Sequence, residues 1–137
     1  MRIAICGSMS FSKEMLEAKE QLQKLGHDVI VSGFVDSHLG KTVEESEQLA
    51  LQQKFENDAM LEYWEQIQKR DAILVLNLDK RGIKNYIGGN SFLEIGFAYV
   101  LRKKIFLLNP IPEIEIYKSE IEAVRPIIIN GDFSLVK

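Results

Sequence analysis

Short apolar runs alternate along the chain with segments in which apolar residues recur at helical spacing. Uninterrupted apolar runs are typical of strands that are buried on both faces of a parallel sheet. They predict five strands, at Arg2–Cys6, Val29–Val31, Ala72–Leu76, Lys104–Leu108 and Pro126–Ile129. The run at Ala72–Leu76 is the most continuous, so we expect it at the centre of the sheet.

The segments between these runs predict helices with recognisable ends. Ser12 is placed to cap the first helix and Gly26 to end it, because serine accepts from free N–H groups and glycine tolerates the left-handed turn. The segment Thr42-Val43-Glu44-Glu45 matches a capping box. It predicts either one long helix that extends to Arg70 or a helix that is broken near Asn57-Asp58. Two further helices are predicted at Ser91–Arg102 and Tyr117–Val124.

Strands that alternate with helices predict an α/β protein with a three-layer, doubly wound fold. The natural arrangement is a five-stranded parallel sheet in the Rossmann-like order 2-1-3-4-5. Ligands of such folds bind beyond the carboxyl ends of the strands, where the strand order reverses. Three loops are expected to meet there, at Gly7–Ser12, Asn77–Asn90 and Asn109–Glu113. Nothing indicates a repeat or a second unit, so we predict a single domain over residues 1–137.

Composition and charge narrow the classes of partner. The chain is 46% hydrophobic and 27% charged, with a net charge of -3, which argues against non-specific nucleic-acid binding. No apolar run is long enough for a signal peptide or a membrane span. The single cysteine, Cys6, fits a reduced compartment, so a cytoplasmic location without a membrane partner is expected. Neither His27 nor His38 has another ligand at metal-binding spacing, so no metal site and no cofactor is predicted.

The candidate chemistry centres on Glu94, for which two interpretations compete. The segment Ser91-Phe92-Leu93-Glu94 matches a capping box, which would make Glu94 a structural cap. The same carboxyl follows Gly88-Gly89, where a ligand can approach the backbone closely, and it precedes an almost wholly apolar helix. The positive end of the helix dipole would keep the carboxylate ionised, which suits a nucleophile.

The first loop offers a second, weaker signal. Ser8 follows Gly7 at the end of the first strand, close to the start of a helix. Such an end presents free N–H groups and a positive dipole, which suit a phosphate or a sugar hydroxyl. An ordinary strand-to-helix turn accounts equally well for the pattern.

The segment from Asp71 to Leu108 resembles the nucleoside 2-deoxyribosyltransferases and the related 2'-deoxynucleoside 5'-phosphate N-hydrolases. The Glu-x-Gly-x-Ala hallmark of that family is matched by Glu94, Gly96 and Ala98, and its N-terminal Gly-Ser loop resembles Gly7-Ser8. The resemblance implies cleavage or transfer at the N-glycosidic bond of a nucleoside or nucleotide. Glu94 would be the nucleophile that forms a glycosyl-enzyme, as in a retaining glycosidase.

Binding residues and assembly follow from the same comparison. We expect a small-molecule ligand and a homo-oligomer in which tail residues contribute to a neighbour's cleft. Asn130 and Asp132 are the candidates in the tail. The expected substrate-binding residues are Gly7, Ser8, Tyr63, Gly88, Gly89, Asn90 and Ser91.

The chain departs from the family at two acidic positions. The helix aspartate of the family is Tyr63 here, and the aspartate that opens the glycine motif of the transferases is Gly88. Asp58, Glu62 and Tyr63 are the alternatives for protonating the leaving base. A non-catalytic nucleotide-binding or sensing module that uses the same cleft is therefore the alternative function.

Overall fold

The computed structural model describes residues 1–137, and its centre is one parallel sheet. The strand order is β2-β1-β3-β4-β5, which confirms the predicted order and fold class. The five strands are β1 (Arg2–Cys6), β2 (Asp28–Ile30), β3 (Ala72–Val75), β4 (Lys104–Leu107) and β5 (Ile127–Ile128). The most apolar run is central, as expected: β3 pairs with β1 on one side and with β4 on the other.

Six helices connect the strands. They are α1 (Ser12–Lys24), α2 (Val35–His38), α3 (Val43–Glu56), α4 (Ala59–Gln68), α5 (Gly89–Val100) and α6 (Lys118–Ala123). Two 3-10 turns, at Met9–Phe11 and Phe133–Leu135, complete the regular structure.

The alternation of side chains along the strands divides the core between the two faces of the sheet. Ile3 and Ile5 of β1 contribute to the cluster that contains the buried face of α1 and the C-terminal residues Ile129 and Val136. Ala4 and Cys6 of β1 contribute to the opposite cluster. That second cluster packs against α4, α5 and α6 through Tyr63, Ile67, Ile95, Ala98 and Ile121. The sheet is therefore covered on both faces, as a three-layer fold requires.

The predicted helix signals near α3 are confirmed. The Thr42 hydroxyl accepts from the Glu45 N–H, and the Glu45 carboxylate accepts from the Thr42 N–H, so the capping box is complete. The helical segment breaks at Asn57-Asp58, where Asp58 has a φ of 51°, and α4 starts directly afterwards. The left-handed conformation of Asp58 explains the break, because such a residue cannot continue a right-handed α-helix.

Two predicted helix starts are wrong. Ser12 is the first residue of α1 rather than its cap, since a 3-10 turn capped by Ser8 precedes the helix. The Ser12 hydroxyl instead donates to the Met9 carbonyl at 2.6 Å. Helix α5 starts at Gly89, two residues before Ser91, and Gly88 is its N-cap without a side-chain cap. Ser91 and Glu94 therefore do not form a capping box.

Candidate functional site

A cavity of about 310 Å³ lies beyond the carboxyl ends of β1 and β3. Its walls come from the first loop, from the loop before α5, and from α3 and α4. The volume is at the lower end of the range for small-molecule sites. All seven predicted binding residues line it, together with Glu94: Gly7, Ser8, Tyr63, Gly88, Gly89, Asn90 and Ser91.

Glu94 is the most deeply buried acid of the chain and lines this cavity. Its carboxyl is carried by the second turn of α5, and the residue is 5% exposed. Burial raises the pKa of Glu94 to about 8, and a hydrogen bond with the Cys6 thiol offsets part of the increase. The expectation that the helix dipole keeps this carboxyl ionised is wrong, because loss of water outweighs the dipole at this depth.

The start of α5 presents backbone donors to the same cavity. No side chain caps the helix, so its first N–H groups, from Gly89 to Ser91, have no side-chain acceptor. Gly88 has to be small, since a Cβ atom there would lie 2.8 Å from the Tyr86 hydroxyl oxygen. The glycines therefore bring the Tyr86 ring close to an open helix end.

The loop after β1 supplies hydroxyl groups. Gly7 packs tightly, because a Cβ atom there would lie 3.1 Å from the Leu76 carbonyl oxygen. Ser8 caps the following 3-10 turn, and its hydroxyl accepts from the Ser10 N–H at 3.3 Å. The Ser10 hydroxyl is buried without a hydrogen-bond partner and lines the cavity as well.

Lys80 is a cavity residue that the sequence analysis missed. It is only 8% exposed, and its ammonium donates to the Ser8 hydroxyl at 2.8 Å. A tight turn orients it: Lys80 and Ile83 form an antiparallel bridge, while Arg81 and Gly82 both have positive φ. This geometry is that of a two-residue hairpin turn, for which the Arg81-Gly82 pair was the available sequence signal.

Tyr63 lies in the cavity wall, but its hydroxyl donates to the Ile5 carbonyl of β1. Burial, followed by the nearby Cys6 and Glu94, raises the pKa of this hydroxyl well above its ordinary value. Asp58 and Glu62, the other candidate proton donors, are exposed and do not line the cavity. None of the three thus offers an acid that is free to protonate a ligand.

The loop Asn109–Glu113 does not reach the cavity, contrary to the prediction that three loops meet there. Its first residue is held by Asn77 instead. The Asn77 amide donates to the Asn109 carbonyl at 2.8 Å, and its carbonyl oxygen accepts from the Asn109 N–H at 2.9 Å. Helices α3 and α4 close the space that this loop was expected to fill.

The other residues considered from sequence lie elsewhere. His38 is buried between Ser46 and Gln53, at 2.6 and 2.8 Å from their side-chain oxygens. Asn130 and Asp132 are exposed and lie outside this cavity. No group of three or more His, Cys, Asp or Glu side chains is arranged to hold a metal ion.

Comparison of the sequence with known proteins gives no match: no model of a protein family matches the sequence, and no curated protein matches it. None of its helices combines the length and the apolar character needed to cross a membrane.

Proposed function

We propose that this protein cleaves or transfers the N-glycosidic bond of deoxynucleosides or their nucleotides, with Glu94 as the nucleophile. The observation that carries the proposal is the Glu94 carboxyl, buried yet facing a cavity of nucleoside size at the carboxyl edge of the sheet. Buried carboxyls with displaced pKa values are characteristic of reacting groups. The likeness of residues 71–108 to the deoxyribosyltransferase family supports the same assignment.

The reaction begins with loss of the Glu94 proton, which the raised pKa makes costly in the empty cavity. The carboxylate then attacks C1' of the sugar while the bond from C1' to the base nitrogen breaks. The electron pair of that bond leaves with the base, which takes up a proton from solvent water, since no side-chain acid is free beside it. The positive charge that develops on the sugar stabilises the carboxylate, so the burial that raises its pKa favours the transition state.

The second half of the reaction releases the sugar. Water, or a second base, attacks C1' and displaces the Glu94 carboxylate, with net retention at the anomeric carbon. The incoming nucleophile gives up its proton to solvent, and the released Glu94 carboxylate takes up a proton, which restores the free enzyme. Ser91 and the N–H groups at the start of α5 are the donors available to sugar hydroxyls, and the Tyr86 ring offers a face for the base.

A nucleotide-binding module without catalysis is the second candidate, and one specific observation favours it. The hydroxyl of Tyr63 is tied to the Ile5 carbonyl, and Asp58 and Glu62 lie outside the cavity. A departing base therefore has no free side-chain acid beside it. A module that only binds the ligand does not need one.

The test compares base release by the wild type, Glu94→Gln and Glu65→Gln. Deoxynucleosides and their 5'-monophosphates are incubated with each protein, and free base is measured by chromatography. We expect Glu94→Gln to lower the rate by about 10³-fold or more, since the amide cannot form the glycosyl-enzyme. Glu65 is exposed on α4, so Glu65→Gln should keep the wild-type rate.

The pH profile adds a second readout. The wild-type kcat/KM should rise with pH, be half-maximal near 8, where the free enzyme loses the Glu94 proton, and level off above that pH. Full turnover by Glu94→Gln would remove the nucleophile from the proposal. Ligand-dependent thermal stabilisation without any base release would instead establish the binding module.

We also propose that the protein assembles with copies of itself. The outward face of α5 supports this, because it is apolar and largely exposed: Leu93 is 50% exposed, Tyr99 55% and Val100 79%. The exposed side chains of α5 itself carry no charge, whereas basic residues lie beside its C-terminal end, next to Tyr99 and Val100: Arg102, Lys103, Lys104 and Arg125. Asn130 and Asp132 remain the proposed contributors to a neighbour's cleft.

A further inference from the structure

Lys80 combines deep burial with a position on the cavity wall. Its side chain is 6% exposed, and its ammonium lies 2.8 Å from the Ser8 hydroxyl oxygen and 3.0 Å from a Glu47 carboxylate oxygen. The ammonium also lies over the Tyr86 ring, at 5.2 Å from the ring centroid. A buried ammonium has to keep partners, so any ligand that enters beside it is selected by charge.

The charges around the cavity do not balance. Its wall carries the amines of Lys54 and Lys80 and the carboxyls of Glu47 and Glu94. Because burial raises the pKa of Glu94 to about 8, this carboxyl is mostly neutral at pH 7 in the empty cavity. One positive charge of the wall is then unmatched, and an anionic ligand would neutralise it.

Lys80 can exchange its ion pair with Glu47 for one with an anionic ligand. Its two carboxylate oxygens contact different cations, one the Lys80 ammonium and the other the Arg81 guanidinium. The Glu47 side chain is 31% exposed. When an anion binds Lys80, Glu47 therefore keeps Arg81 and gains water, so its carboxylate is not left buried and unpaired.

The hydroxyl groups beside Lys80 are also available. The Ser8 oxygen accepts from both the Lys80 ammonium and the Ser10 N–H, which leaves the proton of Ser8 free to donate. The Ser10 hydroxyl is buried without a partner in the same wall. One ammonium and two hydroxyl donors form a set that suits the oxygens of a phosphate or carboxylate group.

We infer that Lys80 is a specificity-determining residue, which binds an anionic group of the ligand and is held by Glu47 until that ligand arrives. The identity of the ligand as a nucleotide rests on the proposed function, whereas the preference for an anion rests on Lys80, Ser8 and Glu47. The protein then selects deoxynucleoside monophosphates over deoxynucleosides that lack the phosphate.

Calorimetric titration of the whole chain with a deoxynucleoside 5'-monophosphate and with the matching deoxynucleoside tests the inference. We expect the wild type to bind the monophosphate about ten- to a hundredfold more tightly, as hydrogen bonds to a charged group contribute. Lys80→Met should abolish this preference, because it weakens binding of the monophosphate far more than binding of the deoxynucleoside. Lys84→Met, which alters an exposed lysine of the same loop, should keep it.

Glu47→Gln is the complementary variant, since it keeps Lys80 and removes its competing carboxylate. It should tighten binding of the monophosphate and of inorganic phosphate, and it decides the question if Lys80→Met fails to fold. Unchanged phosphate preference in Lys80→Met, or weaker phosphate binding by Glu47→Gln, would overturn the inference.

Binding and base release also separate this inference from the proposed function. A phosphate preference that depends on Lys80 in a protein that releases no base would contradict the catalytic proposal alone. Base release without any phosphate preference would contradict the role of Lys80 alone.

Discussion

Folding removes the Glu94 carboxyl from water, and the Cys6 thiol is the one side chain that forms a hydrogen bond with it. The folded protein therefore holds the Glu94 proton up to a pH of about 8, whereas an unfolded chain releases it near the ordinary value of 4.5. Between these values the folded state binds more protons, so the free energy of unfolding falls as pH rises. A site that prepares a nucleophile in this way lowers stability at neutral pH.

This linkage predicts that Glu94→Gln stabilises the protein in a pH-dependent manner. The amide takes up no proton on folding, so it avoids the cost of protonating a carboxyl at a pH above its ordinary pKa of 4.5. At pH 7 the variant should exceed the wild type by on the order of 3 kcal/mol, and the difference should vanish below pH 4.5. Urea denaturation across that range measures it. Glu65→Gln, the exposed control, should show no such trend, and a difference independent of pH would contradict the linkage.

Lys80 shows why single residues of a site escape a sequence analysis. It lies in a polar loop without periodicity, next to Arg81 and near Lys84. Nothing in the local sequence distinguishes the buried Lys80 from these two exposed basic residues. Its burial depends on Ser8 and Glu47, which are distant in sequence and meet it only in the folded chain. Glu94 was identifiable because glycines and an apolar helix surround it locally.

At the scale of elements, the two proposed capping boxes of the sequence had different outcomes. Thr42 and Glu45 cap α3, whereas Ser91 lies inside α5 because that helix starts at Gly89. Both tetrapeptides fit the pattern equally well. What separates them is the preceding residue pair: α5 already starts at Gly89, with Gly88 as its N-cap beside Tyr86, although glycine is a weak helix former.

Alanine substitutions at Thr42 and at Ser91 are therefore expected to change the free energy of unfolding by different amounts. Thr42→Ala should lower the free energy of unfolding by about 1 kcal/mol, because it leaves the Glu45 N–H without its partner. Ser91→Ala should change it by less than about 0.5 kcal/mol, since no cap is lost. Chemical denaturation of both variants measures the contrast. A loss of cap-like size on Ser91→Ala alone would contradict the observed start of α5.

At the scale of the whole molecule, the fold was the most predictable property. Each strand contains an uninterrupted apolar run, and the alternation with helices leaves few ways to order five parallel strands. The closure of the cavity was less predictable. Helices α3 and α4 contribute to its wall, whereas the loop after β4, whose first residue Asn109 is hydrogen-bonded to Asn77, does not.

The C-terminal residues pack against the core of the protein, which changes how their proposed role in assembly should be tested. Val136 is buried in the core cluster of β1, and the Lys104 ammonium donates to the Lys137 carbonyl at 3.0 Å. Truncation of the tail would therefore damage the fold. Asn130→Gly and Asp132→Asn are milder, because they keep the left-handed turn at residue 130 and an acceptor for the Ser134 N–H.

We predict that Val100→Glu converts the proposed oligomer to a monomer, because it places a charge on the apolar face of α5. Ile116→Glu, at a site that is 87% exposed in a different loop, should leave assembly unchanged. Light scattering coupled to size exclusion measures both. The two tail variants should keep assembly but bind ligand more weakly. A wild type that elutes as a monomer would refute the proposed assembly.

The pairing of β1 with β3 sets Ile3 opposite Ala72, so the middle of the sheet joins segments that are far apart along the chain. Closing so long a loop costs conformational entropy before any strand contact forms, and parallel sheets of this kind fold on the millisecond to second scale. During that interval the apolar runs of β1 and β3 are unpaired and can associate between chains. The yield of refolded protein should therefore depend on concentration, and dilute refolding should recover the most.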